Sequence, residues 1–146
     1  MTTWPAENFL LESRSAARLY REYAAPLPVI DYHNHLPAAQ IAADHRFADL
    51  TEIWLDGDHY KWRAMRACGI DESLITGPAD PAERFRAWAA CLPRLIGSPL
   101  YQWSHSELAT TFGFAKQLGP ETAAEAWTFC NAKLATAGFK IGRAHV

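Results

Sequence analysis

The segment that most constrains the fold of this chain is PVIDYHNHLP, residues 28–37, because it holds the one convincing β-strand in an otherwise helical sequence. The β-branched pair Val29 and Ile30 opens this strand, which we expect at about 28–33, and Pro37 closes the segment. A strand needs neighbours to pair its backbone groups, and a single strand cannot supply them. We therefore predict that the other strands of its sheet lie outside these 146 residues.

Helical signals fill most of the remaining sequence. The first is an amphipathic stretch at 7–24, which the prolines that follow it end. Further helices are predicted at 37–44, on both sides of Gly57 with an end at Gly69, from Asp80, from Ser98 and at 119–136. In the helix from Asp80, Pro81 and Glu83 occupy the first and third positions, where they are favoured, and Pro93 interrupts the helix.

Composition excludes several classes of protein. Apolar residues make up 49% of the chain and charged residues 21%, which is typical of a folded domain rather than a disordered or fibrous one. A net charge of −2 with dispersed arginines gives no reason to expect a nucleic-acid or membrane partner. Cys68, Cys91 and Cys130 are odd in number and far apart, so we predict free thiols in a reducing compartment, the cytoplasm.

Two histidines at the end of the predicted strand suggest a metal site. Residues two apart in a strand project from the same face, so His33 and His35 point the same way, with Asp31 one layer deeper on that face. Neutral imidazoles suit a divalent ion of the Zn, Mn or Fe class, and Asp31 could orient a ligand or hold a water. The alternative is an ordinary polar strand end, since two histidines at this spacing are a weak signal.

A second polar cluster lies in LDGDHYKWRAMRACG, residues 55–69. His59 can move a proton near neutral pH, and Tyr60 can donate a hydrogen bond to a developing oxyanion. Lys61 and Arg63, together with Arg66, could hold a carboxylate.

A structural interpretation of the same segment is favoured on chemistry alone. In it, Asp58 caps a helix that has a solvated basic face, and Trp62 and Met65 lie in the core. We expect structural roles for two further histidines: His105, at a helical spacing beside Trp103 and Leu108, and His45 at the end of a short helix, where it interacts with the helix dipole.

Three stretches resemble a known family: VIDYHNHLPAAQIA, RFADLTEIWLDGDHYKWRAMRACGIDESLITG and AWAACLPRLIGSPLYQWSHSELATTFG. They are similar to the N-terminal third of the uronate isomerases, which belong to the amidohydrolase superfamily. The resemblance runs from about Asn8 to Phe139, and GDHYKWRAMRA is its most specific part.

The resemblance implies an α/β fold, a distorted (β/α)8 (TIM) barrel of amidohydrolase type. Residues 1–139 would be the N-terminal portion of that single metal-dependent domain: a helical extension, the first barrel strand at about 28–33 and a helical insertion. It also implies an enzyme that interconverts D-glucuronate with D-fructuronate, and D-galacturonate with D-tagaturonate. His33 and His35 match the first-strand metal ligands of the family, and His59 and Tyr60 match its active-site pair.

Several expectations and alternatives accompany this resemblance. The tail KIGRAHV, residues 140–146, can be encoded by a common sequencing adapter, so we expect it to be non-native. We expect the chain alone to be inactive and poorly soluble or molten, because the remaining strands and metal ligands are absent. The alternatives are another metal-dependent hydrolase of the superfamily or a helical scaffold. The metal, the preferred hexuronate and a homo-oligomeric state of the full-length protein stay open.

Overall fold

The computed structural model of the chain describes residues 8–28, 30 and 37–136. The predicted strand at 28–33 falls mostly outside this part, and Pro28 and Ile30 belong to no regular element. Asp31, His33 and His35 also lie outside it. Within the described residues the α-helices are α1 (Arg14–Leu19), α2 (Ala38–Ala42), α3 (Leu50–Trp54), α4 (His59–Ala67), α5 (Pro81–Cys91), α6 (Pro99–Glu107) and α7 (Ala123–Leu134).

The first helix is shorter than the sequence predicted. It begins at Arg14 rather than near residue 7, because Ser13 has extended backbone and its side chain accepts a hydrogen bond from the Ala16 amide. Leu10, with φ of 65°, lies in the left-handed region and is incompatible with a continuous helix there. A π-helical turn, Tyr20–Ala24, follows α1 and ends before the prolines.

Side-chain caps define the start of the central helices, as predicted for two of them. Asp58 caps α4 by accepting two amide hydrogen bonds of the first turn, and Asp80 caps α5 by accepting one, from the Ala82 amide. The predicted interruption at Pro93 is also confirmed, since α5 gives way to a 3-10 turn at Leu92–Leu95. Asp49 and Ser98 cap α3 and α6 in the same manner.

The last helix begins at Ala123, four residues later than predicted. The Thr122 hydroxyl donates a hydrogen bond to the Gln117 carbonyl at 2.7 Å and accepts one from the Gly119 amide at 3.0 Å. These bonds hold the segment before α7 in a turn, because the hydroxyl competes with the helical pairing of the backbone.

Helix α5 lies at the centre of the core and packs against α3, α4 and α7. Phe85 and Trp88 on this helix are fully buried. The Phe85 ring lies 6.1 Å from the ring of Trp54 and 5.4 Å from the ring of Trp127, measured between centroids. Burial of these large rings removes much apolar surface from water and stabilises this helical unit.

Two hydrogen bonds between distant residues fix α3 in this core. The Leu50 amide donates to the Asn131 side chain at 2.9 Å, and the Thr51 hydroxyl donates to the Pro81 carbonyl at 2.6 Å. Both bonds are at the start of α3, so they hold the helix against α5 and α7. The segment that leaves α3 and enters α4 therefore starts from a fixed position.

The three cysteines are free thiols, as predicted. Burial raises the pKa of Cys91 and of Cys130 to about 12, so neither is a ready nucleophile. No helix among the described residues is long and apolar enough to cross a membrane.

Candidate functional site

A groove of about 890 Å³ opens between the α3–α4 connection and helix α6. Its apolar wall includes Phe47, Ile53, Leu100 and Trp103. Its polar lining consists mainly of Glu52, Asp56, Asp58, Tyr60, Lys61, Ser104 and Glu107. A concave surface with an apolar wall and a few convergent polar groups is typical of a small-molecule site.

The turn between α3 and α4 positions the groove's acidic residues. Gly57 has a φ of 99°, a left-handed conformation that glycine adopts without a steric penalty. Asp56, just before it, forms an ion pair with Arg84 of α5 at 2.9 Å. Arg84 also donates a hydrogen bond to the Ile75 carbonyl at 2.8 Å, so the turn is anchored to the core helix.

Asp58 and Lys61 form an ion pair in the first turn of α4. The Asp58 carboxylate accepts hydrogen bonds from the amides of Tyr60 at 3.0 Å and Lys61 at 3.1 Å, and from the Lys61 ammonium group at 2.6 Å. Burial tends to raise the pKa of Asp58, but the charge and hydrogen bonds of Lys61 outweigh it and hold the pKa below its ordinary value. The ammonium group also lies 5.8 Å from the Trp54 ring centroid.

Glu107, at the end of α6, is a site residue that the sequence analysis missed. Burial raises the pKa of this half-buried carboxyl group to about 7, although the Lys61 charge and the Trp54 indole oppose the shift. A carboxyl group with this pKa exists in both protonation states near neutral pH. No sequence motif marks it, because its environment is assembled from α3, α4 and α6.

The predicted catalytic pair lies on the first turn of α4. The rings of His59 and Tyr60 stack with centroids 4.4 Å apart and an interplanar angle of 31°. Tyr60 lines the groove and is 49% exposed, whereas His59 is half-buried. The Arg63 guanidinium group lies 5.9 Å from the Tyr60 ring centroid, so His59 and Arg63 both contact Tyr60, which lines the groove.

The three basic residues predicted to hold a carboxylate have different environments. Lys61 is buried and paired with Asp58, whereas Arg63 is exposed beside Tyr60. Arg66 forms an ion pair with Glu72, which lowers the pKa of that carboxyl group to about 2. Arg66 therefore belongs to the solvated face of α4 and not to the groove.

The structural interpretation of this helix is also confirmed in its core residues. Met65 is fully buried, and the Trp62 indole donates a hydrogen bond to the Leu55 carbonyl at 2.5 Å. Helix α4 thus has a packed apolar face with Met65, a solvated face with Arg66, and a polar first turn that borders the groove. The structural interpretation therefore agrees with the cap and the core residues of α4, although Lys61 is buried and does not belong to the solvated face.

His105 and His45 make interactions that stabilise the fold. His105 donates from Nδ1 to the Tyr101 carbonyl at 2.7 Å and accepts the Leu118 amide at Nε2 at 2.9 Å, which fixes a neutral tautomer. Burial lowers its pKa, consistent with this neutral form. His45 lies 2.8 Å from the Glu52 carboxylate, a contact that joins the segment after α2 to helix α3.

No cluster of three or more potential metal ligands (His, Cys, Asp or Glu) occurs in the described part of the chain. The predicted ligands His33 and His35 lie outside that part.

A concave site with a proton-carrying carboxyl group, a tyrosine and a histidine is typical of an enzyme that acts on a polar small molecule. The sequence profile for glucuronate isomerase matches residues 1–144. The chain belongs to the glucuronate isomerase family.

Individual relatives agree with this assignment. The uronate isomerase of Salmonella arizonae is 52% identical over 141 residues, a match that covers 95% of this chain and 30% of the relative. The uronate isomerase of Geobacillus stearothermophilus is 54% identical over 133 residues, covering 91% of this chain and 28% of the relative. The chain therefore spans less than a third of the length of these relatives.

The fold is similar to solved structures as well. The crystal structure of uronate isomerase from Thermotoga maritima aligns with a TM-score of 0.85 at 39% sequence identity, covering 90% of this chain and 29% of that one. Glucuronate isomerase from Caulobacter crescentus aligns with a TM-score of 0.73 at 27% identity, covering 80% of this chain and 26% of that one.

Proposed function

We propose that the full-length protein containing this chain is an aldose–ketose isomerase. Its reaction interconverts D-glucuronate with D-fructuronate, and D-galacturonate with D-tagaturonate, by moving a proton between C2 and C1 through a cis-enediol. The observation that carries this proposal is the 52% identity to a uronate isomerase across 95% of the chain, including the segment that borders the groove.

His59 and Tyr60 are the proposed proton-transfer pair. Isomerisation needs a group that carries a proton and a donor that stabilises the developing oxyanion. Tyr60 lines the groove and carries a hydroxyl donor, and the stacked His59 carries an imidazole that can accept or donate a proton. Their adjacency on one helical turn places His59 directly beside the groove-lining Tyr60.

Arg63 is the better candidate of the two basic residues for the substrate carboxylate. It is exposed beside Tyr60, and a guanidinium group can bind a carboxylate through two parallel hydrogen bonds. Lys61 has a positioning role in this proposal, since its charge is already paired with Asp58.

A divalent ion of the Zn, Mn or Fe class is the proposed cofactor, with His33 and His35 as ligands and Asp31 orienting one of them. The donor chemistry fits such an ion, and bound metal would polarise the substrate carbonyl. The described residues hold no group of three potential ligands. In this proposal the ligands of the ion therefore come from residues 31–35 and from the rest of the full-length protein.

The domain proposal follows from the same resemblance. Residues 1–139 form the N-terminal portion of a (β/α)8 barrel, the strand at about 28–33 is its first, and residues 140–146 are non-native. The chain alone is inactive in this proposal, because the later ligands and substrate-binding residues are missing. The full-length enzyme works in the cytoplasm on a small-molecule hexuronate.

The test is to assay the full-length gene product with D-glucuronate by NMR, in the presence of Zn, Mn or Fe. We expect conversion to D-fructuronate, and Tyr60→Phe should lower kcat by roughly 100-fold, the typical contribution of a positioned proton donor. Tyr23→Phe is the matched control, since Tyr23 is exposed on the N-terminal π-helical turn. Hydrolysis of amide substrates without isomerisation would instead indicate another enzyme of the superfamily.

A further inference from the structure

Four polar side chains of the groove lining come from the first turn of α4 and the second half of α6: Asp58, Lys61, Ser104 and Glu107, here called the groove floor. We infer that the groove floor binds hydroxyl groups of a polyhydroxylated ligand and not its carboxylate. The inference deepens the proposed function and rests on it for the identity of the ligand, since an open-chain hexuronate carries both kinds of group.

The charge of the groove floor argues against a carboxylate there. The Lys61 ammonium group lies 2.6 Å from the Asp58 carboxylate, so its positive charge is already neutralised. Glu107 adds a second carboxyl group beside this pair, and an anionic ligand would meet both acids. Ligand hydroxyls, in contrast, can donate to carboxylate oxygens and accept from the ammonium group.

An independent observation points to a ligand at this place. Ser104 is 1% exposed and lines the groove, and its hydroxyl has no hydrogen-bond partner among the described residues. Buried polar groups without partners cost folding free energy, and a polar ligand would satisfy them.

Glu107 fits this role for a further reason. It forms no ion pair with the residues that the structure describes, although it lies near Lys61. With a pKa of about 7, its carboxyl group can donate a hydrogen bond when protonated and accept one when ionised. Such a group accommodates the two-way hydrogen bonding of a sugar hydroxyl better than a fixed charge does.

The experiment measures binding of two probes to the full-length protein by saturation-transfer NMR titration. D-Glucitol carries six hydroxyls and no carboxylate, and glutarate carries carboxylates and no hydroxyls. We expect Glu107→Gln and Ser104→Ala each to weaken D-glucitol binding by about tenfold, and to change glutarate binding by less than about twofold. Glu125→Gln is the matched control, because Glu125 is exposed on α7 and paired with Lys116 at 2.7 Å.

Three results would overturn the inference. Unchanged D-glucitol affinity in both floor variants overturns the inference, as does weaker glutarate binding in either of them. An equal loss in Glu125→Gln also overturns it, since the effect would then be remote from the floor. A wild-type protein that binds D-glucitol through Glu107 but isomerises no hexuronate would contradict the proposed function and leave the floor assignment intact.

Discussion

Asp58 is predicted to stabilise the first turn of α4 in two separable ways. It caps the helix through the amides of Tyr60 and Lys61, and it neutralises the Lys61 ammonium group, whose side chain is only 11% exposed. Loss of an N-cap costs about 1 kcal/mol of unfolding free energy. Loss of a hydrogen bond to a buried charged group costs roughly 1.5–3 kcal/mol more, because the remaining charge is left without its partner.

Two substitutions separate these contributions. Asp58→Ala removes both, so we expect a loss of about 2–4 kcal/mol in the free energy of unfolding. Asp58→Asn keeps a good capping side chain and removes only the charge, so its loss should be about 1 kcal/mol smaller. Urea unfolding followed by tryptophan fluorescence measures both values, since Trp54 lies beside the ion pair.

A third variant tests whether Lys61 is the reason for the second contribution. In the background of Lys61→Met no buried ammonium group needs a partner, so Asp58→Asn should then cost about 1–2 kcal/mol less than it does alone. The same cost in both backgrounds, or an Asp58→Asn variant as stable as the wild type, would refute the argument that Asp58 neutralises a buried charge.

Three further predictions concern Glu107, Phe85 and His105. The pKa of Glu107 rises from 4.5 to about 7 on folding. The free energy of unfolding should therefore fall by at most about 3 kcal/mol as the pH rises from 4.5 to 7. Glu107→Gln should lack this pH dependence when its unfolding is measured over the same pH range. Phe85→Ala should cost about 3–5 kcal/mol by urea unfolding, because the ring is fully buried between two tryptophans; a cost below 1 kcal/mol contradicts the packing. His105→Phe should cost about 1–3 kcal/mol and speed exchange of the Leu118 amide, which loses its acceptor; unchanged exchange contradicts that bond.

The sequence was informative where a local pattern decides the structure. Asp58 and Asp80 precede helical segments and have side chains that cap the first turn, so both helix starts were predictable. The start of α1 was not, because the apolar spacing continues upstream of Ser13 while the backbone turns at Leu10. Short-range periodicity does not register a single left-handed residue.

The candidate site was predictable only in part, for a related reason. His59 and Tyr60 stand out as reactive side chains in a distinctive segment, so the sequence alone makes them candidates. Glu107 acquires its perturbed pKa from burial near Lys61 and Trp54, which are brought to it by helix packing. Its chemistry depends on contacts between residues far apart in the chain, and such contacts leave no local signature.

The predicted molten state of the isolated chain rested on the missing strands. The described helices, however, bury Trp54, Phe85 and Trp88 in one shared core, which favours cooperative unfolding of this unit. Near-UV circular dichroism of the purified chain distinguishes a molten state from a packed one, since only a packed core gives a strong aromatic signal.

The most direct test of the account follows D-glucuronate by NMR in D2O with the full-length protein and a divalent ion. The account predicts that D-fructuronate accumulates and that His59→Asn and Tyr60→Phe each slow its formation by about 100-fold without loss of folded structure. A wild-type protein that leaves glucuronate and galacturonate unchanged, or variants as fast as the wild type, would contradict it.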